Sequence, residues 1–263
     1  MCGIVGIINK SGHKADFNLL KKMADTIHYR GPDDDGVLIV GPIGVFHQSL
    51  SILDISNGQQ PVTFNNCTII FNGEIYNYIE LREDLKRKGH SFHTSSDTEV
   101  ILHMYVEYGN DFVNLLNGMF AFIIFDKNKN EFFIARDHFG IKPLYWYHDD
   151  QLIAFGSEIK ALLAHPGINA EADTDNLYEY LTFQFVMGEG TMFKNIFRIL
   201  PGHFMSINLN TYKFKVEKYW EPNFKIDQFH TEEYFISELH TILEETISQQ
   251  LRSDVPLGTY LSG

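Results

Sequence analysis

Met1-Cys2-Gly3-Ile4-Val5-Gly6 opens the chain, and its reading decides the fold. A cysteine directly after the initiator methionine becomes the first residue once Met1 is clipped, and its small side chain favours clipping. The product carries a thiol and a free α-amine on the same residue. The amine has an unperturbed pKa of roughly 7.7–8.0 and the thiol about 8.5, so near neutrality the amine can accept the thiol proton. One residue then supplies both nucleophile and general base. Ile4, Val5, Ile7 and Ile8 behind it read as a buried strand, which would fix the nucleophile rather than leave it on a loose tail. A plainer reading stands beside this one: a cysteine at position 2 with no chemical role.

The 263 residues suffice for one large domain or two. With 44% hydrophobic and 21% charged residues, the composition is that of a soluble globular protein. The 21 basic and 34 acidic residues give a net charge of −13, and no cluster of Lys or Arg interrupts it. That balance argues against nucleic acid or an anionic membrane surface as a partner. Two cysteines, Cys2 and Cys67, cannot build a disulfide framework, which fits a reducing cytosol. Cys67, beside Thr68-Ile69-Ile70-Phe71, reads as a small core residue. No stretch reaches the ~20 apolar residues of a membrane span. The N-terminal apolar run is too short for a signal peptide and has no basic residue before it. The expected location is cytoplasmic.

Along the chain, Asp16 to His28 has near-3.6 periodicity and predicts an amphipathic helix. Asp33-Asp34-Asp35 reads as a solvated acidic turn, with a metal site as the less simple alternative. Residues 37–40 and 44–53 predict strands joined at Gly41-Pro42, and 68–71 a strand ending in Asn72-Gly73. Helices are expected over 81–88, closed by Gly89, and over 98–108, with Asp97 as N-cap. From Gly118 the character turns to β, with runs at 119–125, 131–136, 145–148, 152–155 and 202–209. Short helices are expected at 158–164 and 176–182. Thr231 caps the longest helix pattern, 231–251, after which the chain heads into a strand and stops at Ser262-Gly263. A strand cut there predicts a truncated longer protein. His90 and His93 look like members of a short strand pointing to opposite faces, a poor metal spacing.

Seven stretches stand in the order and spacing of glutamine-dependent asparagine synthetases. They are Met1–Gly6, Arg30-Gly31-Pro32-Asp33, Asn72-Gly73-Glu74-Ile75-Tyr76-Asn77, Ser96-Asp97-Thr98-Glu99, Gly118–Phe122, Arg136-Asp137 with Gly140-Ile141-Lys142-Pro143-Leu144-Tyr145, and Ser157–Ala161. The chain resembles that family over essentially its whole length. Related glutaminases, such as the phosphoribosyl-pyrophosphate amidotransferases, share the Cys2 start but resemble it less in the Arg-Gly-Pro-Asp and Lys-Pro-Leu-Tyr stretches. The resemblance implies an α+β fold: an N-terminal-nucleophile hydrolase four-layer αββα sandwich, followed by the first helix and strand of a truncated α/β ATP-pyrophosphatase domain. The implied division is a glutaminase domain over 2–218, a linker over 219–230 and the start of the synthetase domain over 231–263.

The resemblance also implies chemistry. Cys2 would attack the side-chain amide of glutamine, passing through an oxyanion to a γ-glutamyl thioester that water opens. Asn72 and Gly73 would hold the oxyanion, through a side-chain and a backbone N–H. Asp97 would take the substrate α-ammonium, Glu74 would help frame it, and Arg30 would sit near the nucleophile with a mainly structural role, a contact with substrate being the alternative. The family strand reads His-Gln-Arg-Leu-Ser-Ile, its arginine forking onto the substrate α-carboxylate, whereas this chain has Ser49 there. A hydrogen bond to a charged group contributes roughly 1.5–3 kcal/mol, so this departure should weaken substrate binding by about 10- to 150-fold. Tyr29 stands where the family usually has histidine. No cofactor is implied for the glutaminase and no metal. ATP and Mg2+ are implied for the missing synthetase domain, with Leu261, Ser262 and Gly263 as a partial ATP loop. Aspartate and ATP would be substrates of the full-length parent, and a homodimer is the assembly the resemblance suggests. Two functional classes follow: the ammonia-supplying half of an asparagine synthase, or a degenerate amidotransferase-like domain with a structural or regulatory role, motivated by Ser49.

Overall fold

The computed structural model describes residues 2–50, 54 and 58–259. In chain order the elements are β1 (Gly3–Asn9), α1 (Phe17–Asp25), β2 (Asp34–Val40), β3 (Ile43–Ser49), β4 (Val62–Phe64) and β5 (Cys67–Ile75). There follow α2 (Tyr78–Arg87), α3 (Asp97–Tyr108), β6 (Gly118–Asp126), β7 (Glu131–Arg136), β8 (Tyr145–His148) and β9 (Leu152–Gly156). The series ends with α4 (Ile159–Leu163), α5 (Thr174–Phe183), β10 (Ile196–Arg198), β11 (His203–Asn208), β12 (Phe214–Lys218) and α6 (Glu232–Gln250).

The described strands make two antiparallel sheets, one ordered β10-β8-β9-β1-β3-β2 and the other β12-β11-β7-β6-β5-β4. Their stacking follows from the two-residue period of a strand. On β1, Ile4 and Ile8 face the second sheet, where they meet Ile70, Ile123 and Ile134. Val5 and Ile7 point the other way, onto Leu20 and Met23 of α1 and Leu162 of α4. On β6, Ala121, Ile123 and Phe125 face the first sheet. Phe120, Phe122 and Ile124 face Val100, Ile101 and Met104 of α3. The order of layers is therefore helix, sheet, sheet, helix. Because both faces of the central strands are covered, their sequences are continuous apolar runs without alternation. Each fully buried Ile or Phe contributes on the order of 1.5–3 kcal/mol.

Several expected boundaries move for identifiable reasons. Asp34 and Asp35 open β2 instead of forming a solvated turn, with Asp34 paired to Ser49 of β3. The Gly41 turn joins these strands in a left-handed conformation, φ 56°. β3 ends at Ser49, and the expected strand residues 51–53 lie outside the described residues. β5 runs through Asn72 and Gly73 to Ile75, because Asn72 pairs with Ala121 and Gly73 with Phe120. The cap of α3 is Ser96, whose hydroxyl accepts the Thr98 N–H at 3.0 Å, and not Asp97. Residues 90–96 form an irregular loop rather than a strand. There His90 Nδ1 lies 2.9 Å from His103 Nδ1, and the buried His103 ring stacks between Phe64 and Phe92. Burial holds that ring's pKa down at about 4. The short strands β4, β10 and β12 were not expected.

β12 ends at Lys218 and α6 begins after its Thr231 cap, with no helix or strand assigned between them. None of the residues of α6 is buried, and Phe235, Leu239, Ile242 and Leu243 form an open apolar stripe. Beyond α6, Arg252 forks onto Glu80 of α2 at 2.6 and 2.7 Å and also donates to the Tyr76 carbonyl. Asp254 accepts the N–H of Asp54 at 2.7 Å. No strand is assigned at 254–259, and Leu261, Ser262 and Gly263, expected to form part of an ATP loop, lie outside the described residues. No described helix is long and apolar enough to cross a membrane.

Candidate active site

Cys2 stands at the head of β1, one of the two central strands of its sheet, and opens into a cavity of about 730 Å3. The strand cannot slide, because Ile4 exchanges two bonds with Ser157: its N–H donates to the Ser157 hydroxyl and its carbonyl accepts the Ser157 N–H, both at 2.9 Å. Arg30, in the turn His28–Arg30, donates Nε–H to the Cys2 carbonyl at 3.1 Å and pairs with Glu158 at 2.9 Å. Tyr29 donates to the same Glu158 carboxylate, and the Lys160 ammonium sits 4.3 Å over the Tyr29 ring. The Arg-Gly-Pro-Asp and Ser-Glu-Ile-Lys motifs thus form one clamp on the backbone of Cys2. Arg30, a candidate substrate ligand by sequence, is not part of the cavity wall. Gly31 makes the close packing possible, since a Cβ there would lie 2.3 Å from the Gln48 carbonyl oxygen.

The Cys2 thiol itself meets Leu50. The Leu50 N–H points at Sγ from 3.4 Å, and the thiol faces the Leu50 carbonyl at 3.8 Å. Burial pushes the thiol above its ordinary pKa, and the Leu50 N–H opposes that rise. An N–H donor on sulfur favours the thiolate, the form that attacks.

Asn72 is fully buried and lines the same cavity, and neither its Nδ2 nor its Oδ1 has a hydrogen-bond partner in the described structure. Such orphaned amides are rare, because each unpaired group costs about 1–3 kcal/mol. Gln60 holds the strand behind it: its side-chain oxygen accepts the Phe71 N–H at 2.6 Å, and its amide nitrogen donates to the Phe71 carbonyl at 3.2 Å. Gly73 follows, and Glu74 after it also faces the cavity, its pKa raised by burial.

Asp97, at the start of α3, accepts the Ile75 N–H at 2.9 Å and is 4% exposed. Its position is set by Glu99, which binds the N–H groups of His93 and Thr94, and by Arg82, which donates to the Ser96 carbonyl at 2.7 Å. Burial, with Glu74 adding like charge, pushes the Asp97 carboxyl up to about 7. The native state therefore binds this proton more tightly than the unfolded chain. Its stabilising contribution is present below about pH 4 and is lost as pH rises through about 7. Asp97→Asn keeps an oxygen for Ile75 but cannot ionise. It is expected to raise the Tm at pH 8 in the absence of ligand and leave it nearly unchanged at pH 4, as thermal denaturation at the two pH values will check.

Ser49 also lines the cavity, beside Asp33 and Asp34. One wall thus gathers Cys2, Ser49, Asn72, Gly73, Glu74 and Asp97, contributed by β1, β3, β5 and α3. Lys142, Leu50, Gln60 and Asp54 belong to it as well, and none was singled out from sequence, although Lys142 lies within a quoted motif. Among the described residues no group of three or more His, Cys, Asp or Glu is placed to hold a metal ion.

The family model for the glutamine amidotransferase domain matches residues 1–220. Asparagine synthetase [glutamine-hydrolyzing] 1 of Bacillus subtilis (strain 168) is 41% identical over 271 residues, covering 100% of this chain and 42% of that protein. Asparagine synthetase [glutamine-hydrolyzing] 3 of the same organism is 37% identical over 271 residues, covering 100% of this chain and 43% of its own length. The chain thus spans about two fifths of the length of the curated relatives it matches. Among solved structures, the glutamine phosphoribosylpyrophosphate amidotransferase from B. subtilis superposes with a TM-score of 0.60 at 20% identity, over 84% of this chain and 50% of that one. At that identity the likeness shows the fold alone.

Proposed function

The chain belongs to the glutamine amidotransferase domain family, and from that premise we propose that it hydrolyses glutamine to glutamate and ammonia at Cys2. The observation that carries this reading is the buried Asn72 amide, which has no partner in the described structure and shares the cavity of the nucleophile. A carbonyl oxygen turning into an oxyanion would supply the missing acceptor. With Met1 removed, the α-amine of Cys2 takes the thiol proton and Sγ attacks the carboxamide carbon. Asn72 Nδ2–H and the Gly73 N–H donate to the developing oxyanion. Collapse expels ammonia, with the proton returned by the α-ammonium, and leaves a γ-glutamyl thioester. Water, deprotonated by the α-amine, opens it through a second oxyanion in the same hole. Asp97 and Glu74 receive the substrate ammonium, which would stabilise their ionised forms against the burial that opposes them.

The test uses the full chain with Met1 removed. A glutamine-mimicking electrophile is expected to add once, at Cys2, by intact mass, and glutamate release is expected from glutamine. Absence of both would overturn the reading. Ser49 leaves the substrate carboxylate without its arginine fork, so Ser49→Arg is expected to lower the KM for glutamine by about tenfold or more with little change in kcat, the signature of binding gained equally in ground and transition states. Steady-state kinetics on both proteins will check it.

The wider role we infer is the ammonia-supplying part of an asparagine synthase, with residues 2–218 as the glutaminase, 219–230 as linker and 231–263 as the start of a synthetase domain. The names of the relatives and the open apolar stripe of α6, which calls for a covering surface, support it. Aspartate and ATP would then be substrates of the longer protein.

A further inference from the structure

The cavity that holds Cys2 carries the carboxylates of Asp33, Asp34, Asp54, Glu74 and Asp97, and among its described lining residues Lys142 is the one cation. Lys142 is only 5% exposed, and its ammonium has no hydrogen-bond or ion-pair partner among the described residues. Its placement is rigid. Asp137 Oδ2 accepts the Lys142 N–H at 3.0 Å while Oδ1 accepts those of Phe139 and Ile141. Arg136 donates to the carbonyls of Lys142, Gly140 and Ile199 at 2.8, 2.6 and 2.6 Å. A buried lysine in so fixed a loop is costly unless its charge meets an anion.

The strand order places Lys142 relative to Cys2. In β8-β9-β1-β3, Lys142 leads into β8 on one side of β1, and Ser49 ends β3 on the other. Lys142 therefore stands across the nucleophile from the position where the substrate carboxylate would be clamped. Given the glutaminase reading, on which this rests, we propose that Lys142 holds Cys2 in its reactive thiolate form, its ammonium stabilising the sulfur anion across the cavity. The thiol proton passes to the α-amine of Cys2; Lys142 keeps its own proton and forms no bond. It acts through Cys2 and is a positioning residue.

The surrounding charges agree. Burial raises the Cys2 thiol and Asp97 raises it further, while the Leu50 N–H and, to a smaller extent, Lys142 lower it. Burial lowers the Lys142 ammonium and Arg30 adds to that, while Glu74, Cys2 and Asp137 oppose the fall. Substitution of a lysine beside a thiol should accordingly move the onset of its nucleophilicity to higher pH.

The test is the rate of iodoacetamide alkylation of Cys2, followed by mass of the N-terminal peptide between about pH 6 and 10. Cys67 does not interfere, being buried and pushed up to about 11. In the full chain with Met1 removed, Lys142→Met is expected to slow alkylation at pH 7 about tenfold and shift the profile to higher pH, whereas Lys142→Arg should stay within about threefold of wild type. Lys142→Gln carries the same comparison if the methionine variant does not fold. A Met or Gln profile superimposed on wild type overturns the proposal, as does an arginine profile that moves with them. Normal alkylation of the wild type without glutamate release from glutamine would instead count against the glutaminase reading, leaving the comparison between variants intact.

Discussion

Asn72→Leu is expected to slow glutamine hydrolysis by about 10²–10³-fold while leaving the unliganded protein as stable as wild type or more so. The first part follows from removing one preorganised donor from an oxyanion hole. The second follows from the state of the amide before substrate arrives. Both polar atoms of Asn72 are buried without a partner in the described structure, so the folded protein carries their desolvation cost. Leucine has nearly the same shape and no polar atom, and should recover about 1–3 kcal/mol. A single pair of measurements checks both parts: kcat for glutamine and the midpoint of urea unfolding. Loss of stability without loss of rate would show that Asn72 is a structural residue whose partner lies outside the hole.

Gly73→Ala is expected to be as severe in rate and opposite in stability. A Cβ at this position would lie 2.1 Å from the Met119 carbonyl oxygen and 2.7 Å from the Phe120 Cα, both backbone atoms of the neighbouring strand β6. Neither can rotate away as a side-chain tip could. The β5–β6 pairing at Gly73 and Phe120 must open, and the opening moves Asn72 and Gly73, which line the cavity of Cys2 and are the proposed oxyanion donors. Overpacking of this kind costs typically 1–3 kcal/mol, and misplaced donors should lower kcat by at least about 10²-fold. Thermal denaturation and glutaminase assays on the variant will decide it. An active, stable Gly73→Ala protein would mean that the strands part here at little cost.

That Cys2, Asn72, Gly73 and Asp97 share one cavity follows the family resemblance and not the residues taken singly, since a cysteine at position 2, an Asn-Gly pair and an aspartate at a helix start each have a plain reading of their own. The central strands were legible as apolar runs, yet burial on both faces erased the alternation that would have set their ends. Three-residue strands such as Val62–Phe64 and Ile196–Arg198 are too short to show any period. The capping of α3 was misplaced by one residue because the Ile75 N–H, 22 positions away in the chain, claims Asp97 and leaves Ser96 to cap. Lys142 was quoted only as a motif member, since nothing local to Ile141-Lys142-Pro143 tells that Asp137 will cage its backbone and set it on the wall of the Cys2 cavity. Arg30 read as a structural residue near Cys2, and the fold supplies what the sequence could not, its Nε–H bond to the Cys2 carbonyl.

The contacts of Asp254 and Arg252 have one more consequence. Asp54 lines the nucleophile's cavity, donates its N–H to Asp254 and accepts the Ser95 N–H at 2.7 Å, two residues before the aspartate expected to hold the substrate. The stretch that follows α6 is thus hydrogen-bonded to a residue of the cavity wall. Any process that draws Arg252 and Asp254 away from Glu80 and Asp54 works against these bonds. Where the bonds strengthen on glutamine binding, reciprocity requires glutamine to resist that withdrawal by the same free energy. Filling of the cavity and the attachment of the chain beyond α6 are then two readouts of a single equilibrium.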